Sequence, residues 1–464
     1  MASLGAKCKR RLGVVALAIV ALRIAAGGAV AMCAVCRAWA ADASAQGEWI
    51  PGSEQIPAPD EYPSPPTANS RLMVETQVES VGGSHGAPGG QHEDLGFDWL
   101  FDSQIGDSAK LHSSGRVDYD FYKATGSPVG NGQIASSVLP VMASLRTGGS
   151  LLLRETYVSV DRGIHNLDIG RINVHDGVAM IYNPSDVFRN GSLPVIRTED
   201  PTRLRQSRVG VVGVRTSVDL AFGNLAVMVV PPIHPSGTTI GFNPNLGAVN
   251  HGDSQAYLKF TPPRIGDIYS NLVLLGNRGG GNTLGINVSS SVGRASIVYL
   301  EGAATQTRLL TDLLANPNAS RHVVGQAALG FDWTSEDQQT ITFEYAYNGA
   351  GYTKQQWHNQ WLTANSADLA RSFGIAETRM DPSNRDSLSV MMQWNKFIWR
   401  QSDISCLAKV DAADSSRMYW CQLRYKQNAR DWSIYMMRFV GGARSEFGAL
   451  GESFVAGVDL RVYF

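Results

Sequence analysis

Cysteine is scarce in this chain of 464 residues: there are five, and Cys8, Cys33 and Cys36 all lie near its start, leaving only Cys406 and Cys421 beyond them. Charge is sparse too, at 17% of residues, and the net charge of -1 gives no reason to expect a nucleic-acid partner. Past residue 45 no apolar run reaches the about eighteen residues that a membrane-crossing helix needs. The best stretch, Val209 to Val230, carries Arg215 and Asp219 and breaks at Gly223-Asn224. Residence in a membrane would therefore have to use strands. Chemistry-bearing motifs are missing as well. There is no phosphate loop, paired-carboxylate signature or metal-ligand spacing, and neither a cofactor nor a metal is expected. His85 and His92 sit among glycines without the spacing of a metal site and read as solvated histidines.

What is present begins with a targeting pattern. Lys7, Lys9, Arg10 and Arg11 precede an apolar run from Leu12, interrupted by Arg23 and continuing to about Ala38. Ala38-Trp39-Ala40 and Ala43-Ser44-Ala45 follow as small-residue cleavage patterns, so residues 1–45 are expected to be an export signal cut after Ala40 or Ala45. Residues 46–96 are rich first in proline, from Pro51 to Pro66, and then in glycine, from Gly82 to Gly90. Such a segment offers little apolar surface against its ordering entropy and is expected to be a disordered periplasmic arm.

From residue 97 to 464 the chain alternates with period two. In the last stretch Phe454, Ala456, Val458, Leu460, Val462 and Phe464 share one face, and Ser453, Val455, Gly457, Asp459, Arg461 and Tyr463 share the other. Ile341, Phe343, Tyr345 and Tyr347 alternate with Thr342, Glu344, Ala346 and Asn348. One oily and one mostly polar face suit a barrel with lipid outside and water inside, where closure leaves no backbone group unpaired. With its last strand ending on Phe464, the chain resembles the outer-membrane barrels of Gram-negative bacteria, porin-like ones among them. That resemblance implies an exported all-β, antiparallel up-and-down transmembrane barrel in the outer membrane. Its implied partners are lipid, lipopolysaccharide and the assembly machinery that reads the terminal Phe464.

Counting backwards from Phe464 gives about eighteen strands, with sixteen as the alternative. Long outer connections fall near 441–451, 411–416, 350–384, 308–320, 277–281, 233–253, 177–207 and 148–149. Short inner turns fall near 429–431, 398–401, 335–338, 293–294, 264–266, 222–223, 161–164 and 125–131. Phe331, Trp333, Trp399, Trp432 and Phe464 gather near the inner turns, as an interfacial girdle would. A barrel of that width cannot be filled by its own wall and should enclose a channel or a plug.

The stretch from Asp168 to Arg208 is the most distinctive. A Gly170-Arg171 strand end leads into Asn183-Pro184-Ser185-Asp186 turn chemistry and then into Arg189, Arg197, Arg203, Arg205 and Arg208. Porin-like barrels often fold such a loop back into the pore. The segment also loosely resembles polysaccharide-export barrels with arginine-lined walls. Arg171, the five loop arginines, and Arg215, Asp219, Glu344, Arg424 and Arg461 are the candidates for pore lining or constriction, with Arg154 and Asp459 as further wall charges. The functional expectation is a channel for passive passage of hydrophilic solutes, anionic ones included. Exopolysaccharide export is the alternative, and a non-conducting structural or adhesion barrel is a further one. An enzyme is not expected: His175-Asp176 and Ser185-Asp186 lie near the rim, but nothing orders them into a nucleophile, base and orienting group.

Two local expectations remain. Trp357, His358 and Trp361 begin a short helix running to Ala370 that would cap the outer mouth. Cys406 and Cys421 flank a hairpin centred between Ala413 and Asp414, so reflection places them directly opposite on the lipid face, where a disulfide can form.

Overall fold

The computed structural model describes residues 70–83, 89–124, 148–193, 208–235, 246–316, 318–363, 366–448 and 452–464. The expected export signal, His85, Arg197, Arg203 and Arg205 lie outside the described residues, as does the side chain of His92.

Eighteen antiparallel strands, each paired with its sequence neighbour, form one sheet that the β1–β18 pairing closes into a barrel. They are β1 (Ser70–Gly83), β2 (Gly90–Ile105), β3 (Ala109–Ala124), β4 (Gly148–Arg162), β5 (His165–Ile172), β6 (Val211–Leu220), β7 (Gly223–Val230), β8 (Gln255–Thr261) and β9 (Ile268–Asn277). The second half comprises β10 (Thr283–Val292), β11 (Ser296–Thr307), β12 (His322–Thr334), β13 (Gln339–Asn348), β14 (Asp386–Trp394), β15 (Ser402–Asp411), β16 (Arg417–Gln427), β17 (Arg430–Val440) and β18 (Glu452–Tyr463). The seam runs in register from Met73↔Tyr463 to Gly82↔Phe454, with one irregularity at Gly83. No helix among the described residues is long and apolar enough to cross a membrane.

The period-two pattern sorts side chains as expected. In β17, Asp431, Ser433, Tyr435, Met437 and Phe439 are buried inward, while Trp432, Ile434, Met436 and Val440 are exposed. The apolar outer faces of β13, β14 and β18 behave alike, with Phe343, Leu388, Val390, Val458 and Leu460 all exposed. An unpaired peptide group facing hydrocarbon would cost several kcal/mol, which is why the sheet must close rather than end on free edges. Rings gather at the end bearing short turns: Trp394–Phe397, Trp399–Tyr425 and Tyr425–Trp432 lie 4.8, 6.3 and 5.5 Å apart.

Eighteen strands match the expected number, but the frame differs at its start. Sequence bias placed the first strand at 97 and read 46–96 as disordered, whereas β1 occupies 70–83 and β2 begins at 90. The proline and glycine clusters flank a regular alternation: Met73, Glu75, Gln77, Glu79 and Val81 are buried, and Leu72, Thr76, Val78 and Ser80 are exposed. Carboxylates on the inner face made this strand look like linker. The expected inner turn at 125–131 is also corrected. β3 and β4 pair directly, from Ala109↔Val160 to Asp120↔Gly148, so the connection 125–147 belongs to the outer end and the inner turn is at 106–108. Residues 125–147 themselves lie outside the described residues.

Cys406 and Cys421 are directly paired across β15 and β16, with Cα atoms 4.1 Å apart, and are joined by a disulfide on the outward face. At the outer end, meaning the end with the long connections, three helices follow β11 and β13: α1 (Leu310–Ala315), α2 (Lys354–Thr363) and α3 (Ser366–Arg379). The helix expected to run to Ala370 corresponds to α2 and the start of α3, and residues 364–365 between them lie outside the described residues. Leu310, Leu313, Tyr352, Trp357 and Ala376 bury against one another and bind these helices together. The Tyr352 hydroxyl lies 2.6 Å from Ser372 Oγ in the same cluster.

Candidate functional site

β5 ends at Ile172, and the chain that follows turns into the barrel and stays there to residue 193, held by its own peptide N–H groups. Asn173 N donates to Glu155 Oε1 on β4 at 3.0 Å. Val178 N and Ala179 N donate to Glu301 Oε2 on β11 at 3.0 and 3.1 Å, and Ser185 N donates to Glu301 Oε1 at 2.8 Å. Met180 N and Ile181 N donate to Glu344 Oε2 on β13 at 2.8 and 3.0 Å, and Tyr182 N donates to its Oε1 at 2.7 Å. Two hydroxyls complete the shells: Ser185 Oγ gives to Glu301 at 2.9 Å and Tyr299 OH to Glu344 at 2.9 Å. Glu301 is 0% exposed and Glu344 3%. Carboxyl oxygens so surrounded take up the segment's peptide donors, which thus find partners away from water.

Local backbone geometry permits this approach. Gly177 has φ +101°, and a Cβ there would stand 2.7 Å from both Glu301 oxygens, so only glycine fits. Beside it, Asp176 accepts from Lys259 Nζ at 2.9 Å and from Tyr257 OH at 3.0 Å. Burial pushes the Asp176 carboxyl up, and Lys259 opposes that shift. Apolar side chains finish the docking. Met180, Ile181 and Leu193 pack on an inward cluster of Met391, Leu407, Met418, Trp420, Tyr435, Met437, Phe447 and Val455. Val174 and Phe188 pack on the β6–β9 wall, with Phe188 5.3 Å from Tyr257.

The outer helices reach the same segment. Asp381, just past α3, accepts Arg189 Nη2 at 2.7 Å and Tyr182 OH at 3.2 Å, and Gly191 N donates to Thr378 O at 2.7 Å. Arg208 pairs with Asp186 and donates from Nε to Ser192 Oγ at 2.8 Å.

The described arginines among the candidates are engaged as follows. Arg189 and Arg208 tie the infolded segment to itself and to the cap, and Arg171, 2% exposed, donates to Gly210 O at 3.0 Å. Glu344 is the segment's anchor. Arg215 does reach inward, with a third of its side chain exposed, 3.9 Å from Asp168. Asp219 is exposed near the inner turn and accepts Asn224 Nδ2 at 2.7 Å. Arg424 is buried on the β16 wall. Arg461 pairs with Glu75 at 2.6 Å and with Asp459 at 2.5 Å, and Arg154 pairs with Asp98 at 2.5 Å. Ser185 turns to Glu301 and Asn287, while His175 Nδ1 lies 3.3 Å from Arg208 Nη1, so the two do not form a nucleophile–base pair.

Sequence reasoning missed the other half of the inner wall. Arg116 on β3 sits among Glu75, Asp118, Asp98 at 2.8 Å and Asp94 at 3.0 Å. Its signal was available, because Glu75, Gln77 and Glu79 alternate with Thr76 and Val78. At the outer mouth, Arg308, Arg321 and Arg379 donate to main-chain carbonyls: Ala319 O at 2.9 Å, Gly279 O at 2.6 Å and Arg308 O at 3.0 Å. Burial lowers the Arg379 pKa, and the neighbouring cations Arg189, Arg308 and Arg321 lower it further against Asp381.

No family model and no curated protein matches this chain. Among solved structures it is similar to Acinetobacter baumannii OccAB1, with a TM-score of 0.54 and 10% identity over 85% of this chain and 96% of that one. It is likewise similar to Acinetobacter baumannii OccAB2, with a TM-score of 0.50 and 9% identity over 85% and 98%. At these identities the likeness is one of fold, and at that level the resemblance to the porin-like barrels of Gram-negative bacteria is shown.

Proposed function

We propose that this chain is an outer-membrane channel that conducts small hydrophilic solutes passively, with the infolded segment 173–193 setting its narrowest passage. The observation that carries the proposal is the clamp at mid-height, where Glu301 and Glu344 hold five consecutive peptide N–H groups, 178–182, inside a closed barrel with a largely polar inner face. A barrel with no traffic to restrict has no use for such a structure. A segment fixed across the lumen also disfavours passage of a bulky polymer, which sets the exopolysaccharide alternative behind.

Anionic solutes are the preferred class. Arg308, Arg321 and Arg379 at the outer end donate to carbonyls and place three positive charges there that would favour anions. The exposed outward face of β18, from Phe454 to Phe464, is the surface we assign to lipid and to the barrel-assembly machinery. Single-channel recording of the refolded barrel in a planar bilayer under a salt gradient tests both points. Stable open steps with anion preference are expected, and a folded but silent barrel would refute the channel.

A further inference from the structure

The outward wall of β16–β18 is apolar for most of its height, but two arginines interrupt it side by side near the outer end. In β16 the outward positions run Tyr425, Leu423, Cys421, Tyr419 and Arg417. In β17 they run Trp432, Ile434, Met436, Arg438 and Val440. Arg417 and Arg438 are both exposed. Arg417 is opposite Val440 and Arg438 is opposite Tyr419, so the two arginines are diagonal neighbours on one face, with backbones about 7–8 Å apart. On its other side Arg438 is opposite Phe454 of β18. Tyr419 and Phe454 are exposed as well, so Arg438 stands between two outward rings.

Height places this pair at the edge of the hydrocarbon. Phe454 and Phe464 share the outward face of β18. At about 3.3 Å per residue and about 40° of tilt, the positions between them climb about 25 Å, the height of the apolar band of such a barrel. With Phe464 at the inner boundary, Phe454 and the neighbouring Arg438 stand at the outer one. A guanidinium there lays its stem on the apolar wall and reaches for the headgroups. Among the described residues neither Arg417 nor Arg438 makes a hydrogen bond or an ion pair. Carboxylates on this face are few. Glu452 opens β18 two positions before Phe454, and Asp386, two strands away on β14, accepts the Tyr345 hydroxyl. On β16–β18 two guanidinium groups thus stand against one carboxylate, which leaves the patch positive.

We propose that Arg417 and Arg438 form a docking site for the phosphate of an outer-leaflet glycolipid of the lipopolysaccharide kind, held between the two guanidinium groups while its acyl chains lie along the wall below. A guanidinium meets a phosphate with two parallel N–H donors, a geometry that an ammonium cannot match. Met436, Ile434 and Val458, all exposed on the same face, are the apolar bed for the chains. The rings of Tyr419 and Phe454 suit the boundary between chain and headgroup. A second copy seated by a two-fold axis would instead set these arginines against one another. The inference rests on the outer-membrane half of the functional reading and not on conductance.

Native mass spectrometry of the detergent-solubilised barrel, titrated with bisphosphorylated lipid A, tests the site. Phosphate-free lipid A and phosphatidylglycerol are the comparison lipids. The wild type should bind bisphosphorylated lipid A at least about tenfold more tightly than either. Arg417→Gln and Arg438→Gln should each weaken that binding about tenfold, and the double variant about a hundredfold. Arg430→Gln, at the inner end of the same outward face, should leave it unchanged. Retained heat-modifiable mobility on gels verifies that each variant is folded. Wild-type affinity in the double variant, or equal binding of a comparison lipid, overturns the site. A double variant that keeps its lipid but loses self-association also overturns it, and assigns the arginines to a second copy. Cell fractionation reads the location separately. A barrel found in the outer membrane that binds no lipid A overturns the site alone. A barrel absent from the outer membrane whose purified form still binds lipid A supports the site and refutes the location.

Discussion

Replacing Glu344 by alanine should free the infolded segment and enlarge the pore. The substitution removes the acceptor of three peptide N–H groups, those of Met180, Ile181 and Tyr182, and of the Tyr299 hydroxyl. Hydrogen bonds to a buried charge contribute about 1.5–3 kcal/mol each, so the three N–H groups alone put roughly 5–9 kcal/mol at stake. Water entering the vacated space returns about half, leaving about 3–5 kcal/mol against the infolded conformation. That exceeds what Met180 and Ile181 add by packing only if both remain half-buried, as they are. The β12–β13 and β13–β14 ladders do not involve the carboxylate, so the barrel itself should survive. Single-channel recording should show higher conductance and more flicker than wild type, with Glu344→Gln in between because one amide oxygen still accepts. Unchanged conductance and noise in a folded Glu344→Ala barrel would refute the view that peptide N–H clamping sets the aperture.

Other outcomes follow from the same geometry. Denatured, non-reduced protein should show no free thiol at Cys406 or Cys421 by alkylation mass spectrometry, and Cys421→Ser should lose about 3 kcal/mol, the loop-closure value for a separation of 15 residues. Arg379→Gln should lower anion over cation permeability under a salt gradient, and Arg308→Gln should do the same, since each removes one unit of positive charge from the mouth. Burial pushes the Glu377 carboxyl of α3 up to about 7, so it is neutral below that pH and adds negative charge to the mouth above it. Anion preference should therefore fall as external pH rises through about 7, and Glu377→Gln should abolish that fall.

The parts of this fold that were legible in the sequence are those where one face is apolar and the other is not. The strand boundaries from β5 onward, the long loops at one end and the Cys406↔Cys421 register all came from period two and a reflection about a turn. β1 to β3 were less legible because their inner faces carry Glu75, Asp94, Asp98 and Arg116, charges that cancel only once neighbouring strands lie side by side. The same holds at the constriction. Composition drew the eye to arginines, but Arg189 and Arg208 are satisfied within the loop and cap, while Glu301, an ordinary wall residue by sequence, carries half the clamp. Partners separated by more than a hundred positions leave no local periodicity to read.

Holding a loop by its peptide groups has a consequence for how such a pore can diversify. Main-chain N–H groups are the same whatever residue bears them, so a substitution between 178 and 185 that keeps the packing of Met180 and Ile181 and the hydroxyls of Tyr182 and Ser185 leaves the clamp's hydrogen bonds in place. Position is governed by the wall and Gly177, whereas chemical character is written by the residues the wall presents. Selectivity can then drift one substitution at a time over a scaffold that does not move.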